Sequence, residues 1–192
     1  MRVWKWMIIG CLISLHPFAA QGQNKNMQTQ LNKLLRSIIP TETTAENVKN
    51  LLGEPVSKSP DFYKFNDFNV LVSYTTGLSC EKESYGWNIP RDRVITFVVI
   101  LKAAFYQKDL TVFGIDLSKY EKDEDKSGHV PETIYSNSRE GIRIYIIGDQ
   151  VTRIALFPMK KFLHLICPQA KGKPVCADKA GQDLSHFLVR VL

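Results

Sequence analysis

The eight residues Val94-Ile95-Thr96-Phe97-Val98-Val99-Ile100-Leu101 constrain this chain more than any other stretch. They are uncharged and mostly β-branched, so no polar face is left for water. The run is short for a helix, and β-branched side chains lose rotamer freedom in one, so it predicts a central strand. A strand of this kind needs paired neighbours, and the flanking sequence offers them. Phe62–Phe65 and Asn69–Tyr74 read as a hairpin around Asn66-Asp67. Further on, Glu132–Ser136, Ile142–Ile147 and Val151–Phe157 have strand character, the last two joined by a tight turn at Gly148-Asp149.

Helical signals are fewer. Over 28–39, Leu31, Leu34, Leu35 and Ile38 recur at helical spacing until Pro40 ends the pattern. Next comes Thr43-Thr44-Ala45-Glu46, with Thr43 the expected N-cap of a capping box. Val48, Leu51 and Leu52 form one apolar face, Gly53 is the stop and Pro55 lies just beyond. Residues 115–122 predict one short helix and Lys122–Gly128 a charged loop. At the end, Leu184, Phe187, Leu188 and Val191 fall at helical spacing. Hairpins outnumber crossover helices, so the expected fold class is α+β, antiparallel sheet packed by a few short helices. Each half runs from a short helical element into strands, which admits two similar α/β units in tandem, 41–105 and 115–158.

The first 22 residues read as a secretory signal peptide. Arg2 and Lys5 precede a short apolar run, Met7–Leu15, and Ala20-Gln21-Gly22 is a small-x-small cleavage pattern before Gln23. The run is shorter than the ~20 residues that span a bilayer. Two alternatives stay open: an uncleaved anchor, and lipidation at Cys11 in Ile8-Ile9-Gly10-Cys11, which the continued apolar run beyond Cys11 disfavours. Residues 23–192 are then one exported domain, periplasmic or extracellular, with no transmembrane segment. The charged and hydrophobic fractions, 23% and 44%, are those of a globular chain. Of the net charge of +6, Arg2 and Lys5 leave with the signal. What remains is spread thinly, and no basic stripe with interleaved aromatics suggests nucleic acid.

Cys80, Cys167 and Cys176 remain in the exported part. An oxidising compartment favours one disulfide and a leftover thiol, and spacing does not choose the pair. No C-x-x-C or H-x-x-x-H pairing suggests zinc, and no cofactor is expected. The catalytic motifs are missing as well: no G-x-S-x-G elbow, no H-E-x-x-H, no glycine-rich phosphate loop. His164 alternates with Phe162 and Ile166 and reads as a core or strand-edge residue. Asp123-Glu124-Asp125 lacks the spacing of a calcium loop and reads as a solvated charge run. The best functional candidate is the loop 76–93, which carries Tyr85, Trp87, Arg91 and Arg93. Those residue types are enriched where binding energy concentrates, and loops on a scaffold carry function. The competing reading has Trp87 closing the end of the sheet and Cys80 pinning the loop.

The segment Ile38-Ile39-Pro40-Thr41-Glu42-Thr43-Thr44-Ala45-Glu46-Asn47-Val48-Lys49-Asn50-Leu51-Leu52-Gly53-Glu54-Pro55 resembles the Thr-x-x-x-Val-x-x-Leu-Leu-Gly-x-Pro pattern of the SmpA/OmlA family. These are small lipoproteins of outer-membrane β-barrel assembly. The segment is also similar to the one that opens each tandem unit of β-lactamase inhibitor protein-like folds. The shared positions are a cap, an apolar face and a glycine stop, so the resemblance implies fold more than function. The second half is longer than in the assembly lipoprotein. Leu52-Gly53-Glu54-Pro55, Gly86-Trp87-Asn88-Ile89-Pro90, Asp116-Leu117-Ser118-Lys119-Tyr120, Glu140-Gly141-Ile142 and His164-Leu165-Ile166-Cys167-Pro168 also resemble exported proteins of soil bacteria, which implies no activity. The expected function is a non-enzymatic protein–protein interaction module of the cell envelope or extracellular space, its partner an envelope or extracellular protein. The alternatives are an inhibitor of a secreted enzyme, acting through its sheet face, and a carboxylate-based extracellular hydrolase.

Overall fold

The computed structural model describes residues 18–58, 60–75, 89–128 and 130–165. The chain divides into two compact units, 1–37 and 38–192. The described part of the first is helix α1, Phe18–Ser37. It begins before the expected Gln28 and runs across the expected cleavage position at Gln23. It stops short of Pro40 because a residue preceding proline is disfavoured in helical conformation. Met27, Leu31 and Leu34 make its buried stripe.

In the second unit, α2 spans Ala45–Leu52. Thr44, rather than the expected Thr43, is the N-cap. Its Oγ1 accepts from the Asn47 amide at 3.1 Å, and the Asn47 Oδ1 accepts from the Thr44 amide at 3.2 Å. Asn47, not Glu46, therefore completes the box. Thr43 turns the other way and accepts from the Ile39 amide at 2.8 Å. Gly53 ends the helix at φ 87°, its amide donating back to the Lys49 carbonyl.

The described strands form one seven-stranded antiparallel sheet: β1 (Asp61–Lys64), β2 (Phe68–Tyr74), β3 (Val94–Leu101), β4 (Glu121–Asp125), β5 (Glu132–Asn137), β6 (Ile142–Ile147) and β7 (Gln150–Leu156). Their order is β1-β2-β3-β7-β6-β5-β4. Two meanders, β1–β3 and β4–β7, thus join through their last strands, and the uncharged run 94–101 lies in the interior as its sequence requires. The protein is α+β, an antiparallel sheet with a few short helices.

Register explains the burial. Val70 pairs with Val99, Val99 with Ile154, and Ile154 with Ile144. All four are fully buried, forming the centre of one face. On the opposite face Val98, Tyr145 and Ala155 are buried together, with Leu71, Ile100 and Ile134 packed against them. Arg153 lies over the Tyr145 ring at 4.2 Å and pairs with Glu132. Side chains alternate across a strand, so these two residue sets cannot share a face.

Three further expectations need correction. Residues 115–122 are not one helix: a 3₁₀ helix, Leu117–Lys119, is capped by Asp116 and gives way to strand β4. β4 in turn occupies the expected charged loop. It pairs with β5 from Glu121 opposite Ser136 to Asp125 opposite Glu132. Backbone pairing decides this strand, and charges on both sides are what an edge strand tolerates, since they discourage further pairing. His164 is neither core nor strand edge. It is exposed on the 3₁₀ helix Lys160–Leu165, its Nδ1 2.7 Å from the Lys161 carbonyl oxygen. No helix among the described residues is long and apolar enough to cross a membrane.

Candidate functional site

Thr75 follows β2 directly and is almost fully buried. Here β2 must leave the sheet while residues 89–93 return to start β3, and four hydrogen bonds converge on this one residue. Its amide donates to the Arg93 carbonyl at 2.8 Å, and its carbonyl accepts from the Asp92 amide at 3.1 Å. Its hydroxyl donates to the Pro90 carbonyl at 2.7 Å and accepts from the Arg93 amide at 3.0 Å. A threonine is needed, because valine has the same shape but neither donates nor accepts. The two ends of the 76–88 segment are thereby fixed against each other.

A second strip backs this clamp. The Thr41 amide donates to the Val94 carbonyl at 2.6 Å, the Val94 amide to the Thr43 carbonyl at 2.9 Å, and the Ala45 amide to the Asp92 carbonyl at 2.8 Å. The Arg93 guanidinium donates to the Glu42 carbonyl. Within this lattice are the two non-glycine residues of positive φ among those described, Thr41 at 75° and Asp92 at 62°. Aspartate tolerates that region, but for a β-branched threonine it is an outlier. The Thr41 hydroxyl is also buried without a hydrogen-bond partner. Together the two features cost on the order of 2–6 kcal/mol, which the surrounding bonds hold in place.

Next to the clamp, fully buried Tyr63 and half-buried Tyr74, its hydroxyl out of reach of solvent, form a phenol pair. The Tyr63 hydroxyl reaches the Asp61 carboxylate at 3.5 Å, while that of Tyr74 lacks a partner of good geometry. Burial pushes both phenols above their ordinary value, Tyr74 the more strongly.

Of the four residues expected to bind a partner, Arg91 is exposed at this root and Arg93 is half-buried within it. Tyr85 and Trp87 lie outside the described residues, as do Cys80, Cys167 and Cys176. Sequence reasoning missed Thr75 and Thr41, since a threonine at the end of a strand or after a proline carries no distinguishing pattern. Asp92 had a weak signal, an aspartate between arginines just after Pro90. Comparison of the chain with family models, with curated proteins and with solved structures found no match.

Proposed function

We propose that the chain is a non-enzymatic protein–protein interaction module, exported to the cell envelope or the extracellular space, that engages its partner through the loop 76–93. The observation that carries this reading is the clamp: four hydrogen bonds on buried Thr75, backed by a strip holding two residues at positive φ. Strain held by over-determined surroundings is characteristic of sites that present a fixed geometry. A loop whose ends are already fixed loses less entropy on binding. Trp, Tyr and Arg on such a loop are suitable anchors.

The second sheet face favours a second reading, an inhibitor of a secreted enzyme. Leu71, Ile100 and Ile134 are half-buried there around Tyr145 and Arg153, a composition suited to a binding face.

Affinity capture from envelope and culture-fluid extracts, with residues 23–192 as bait, separates the readings. The Trp87→Ala/Arg91→Ala bait is expected to lose a partner that Leu71→Arg/Ile134→Arg retains. The reverse pattern would transfer the site to the sheet face. A partner retained by both would remove each surface from consideration, and capture of nothing would argue against a module.

A further inference from the structure

Away from the loop, the connection between the two meanders builds an open cleft of about 980 Å³. Its construction starts from alternation. After β3 the chain bends and pairs with the start of β7: the Val151 amide donates to the Phe105 carbonyl, and Tyr106 pairs with Gln150. Phe105 is fully buried, against Phe113 at 5.5 Å, so its neighbour Tyr106 must face outward. The Tyr106 amide is fixed by the Asp109 carboxylate at 3.0 Å, and the Gln107 amide by the Asp149 carbonyl at 2.8 Å. The ring is therefore exposed on a rigid backbone, 39% accessible, in the wall of the cleft.

Besides the apolar Ile115 and Leu117, the other wall groups are polar and nearly balanced in charge. Lys108 lies near the Tyr106 ring, its Nζ 5.8 Å from the centroid. The Asp116 carboxylate already accepts from the Ser118 amide and hydroxyl and pairs with Lys119 at 3.7 Å. That leaves the Gln107 carboxamide and the Asp149 carboxylate without a side-chain partner among the described residues. A lone ammonium facing carboxylates does not select an anion, and an ammonium in the wall opposes a cationic ligand. An exposed ring with a planar amide and a planar carboxylate suits a neutral ligand with an apolar C–H face and a rim of hydroxyls. The C–H face is attracted to the negative face of the ring, and the hydroxyls both donate and accept.

We infer that this cleft, with Tyr106 as platform and Gln107 and Asp149 as hydrogen-bonding groups, binds a neutral saccharide. The site is independent of the 76–93 loop, so either can fail alone. The volume accommodates two or three sugar rings, within the range of small-ligand sites.

The test is an amide NMR titration of the full chain with chitotetraose and, separately, cellohexaose. Shift changes confined to Tyr106–Thr111, Ile115–Ser118 and Asp149, saturating at millimolar sugar with either oligosaccharide, are expected. Tyr106→Ala should weaken binding at least tenfold while Tyr106→Phe retains it. Asp149→Asn, which leaves the backbone contact to Gln107 intact, should weaken it severalfold. Absence of shifts with both sugars at 10 mM would overturn the inference. So would shifts scattered over the surface, or shifts unchanged in both Tyr106→Ala and Asp149→Asn.

Discussion

Two regions of one sheet reverse the chain in opposite ways. Between β5, β6 and β7 the turns are short and their positive-φ positions are glycines, Gly141 at 69° and Gly148 at 64°. At Gly148 no atom lies near an added Cβ, so glycine there serves the dihedral of a two-residue hairpin alone. At Gly141 a Cβ would overlap the Phe157 carbonyl oxygen and crowd Met159. Among the described residues, the root of the 76–93 loop uses no glycine. Positive φ falls on Thr41 and Asp92, and hydrogen bonds across three segments hold it there. The first region avoids strain by its choice of residue. The second retains strain and surrounds it with hydrogen bonds that over-determine the backbone.

The largest effect is expected at Gly141. Gly141→Ala forces backbone out of position and should destabilise by about 3–5 kcal/mol, read from urea denaturation. A change below 1 kcal/mol would mean that this turn tolerates a side chain at positive φ, as the loop root does at Thr41, and the comparison would fail. A second effect comes with pH. Burial raises the phenols of Tyr63, Tyr74 and Tyr120, the last also facing Glu140 at 3.1 Å. A folded pKa above the unfolded one means their contribution is full below about pH 10 and declines as pH rises through the folded values. Denaturation midpoints should therefore be level from pH 8 to 9 and fall above 10, together with a late rise in phenolate absorbance. A flat midpoint across pH 11 would show the pair to be open to solvent.

Thr75→Val tests the clamp itself. It deprives the Pro90 carbonyl and the Arg93 amide of their hydroxyl partner and should cost about 2 kcal/mol. Hydrogen exchange should quicken at Asp92 and Arg93 before it does in β3. Exchange that rises evenly over the sheet would make Thr75 an ordinary core residue. The smallest effect is also the sharpest. Thr41→Gly removes a strained dihedral and an unpartnered hydroxyl, against the greater chain entropy of glycine, for a net gain of about 1 kcal/mol. If the strain serves presentation of the loop, this more stable variant should bind a captured partner more weakly. Equal binding would separate strain from function.

Much of this fold is legible in the residues. Val94–Leu101 can only be an interior strand, Gly148-Asp149 a hairpin turn, and Leu52-Gly53 the end of a helix, because each is fixed by side-chain shape or by a dihedral within a few positions. The failures share one cause. Glu121–Asp125 has no apolar residue to mark it as a strand, and only its pairing with β5 makes it one. Thr44 displaces Thr43 as cap because Thr43 is drawn to the Ile39 amide. Loop 76–93 was identifiable as a candidate by composition alone, yet Thr75 became visible only when residues 89–93 were set beside it.

The sequence by itself determined the α+β class and most of the strands, since periodicity and turn chemistry are local. The tertiary structure alone decided the joining of the meanders through β3 and β7, the clamp on Thr75, the strain at Thr41 and the outward ring of Tyr106. Each of these depends on a hydrogen bond or a contact between residues far apart in the chain, and such partners leave no mark on the local pattern.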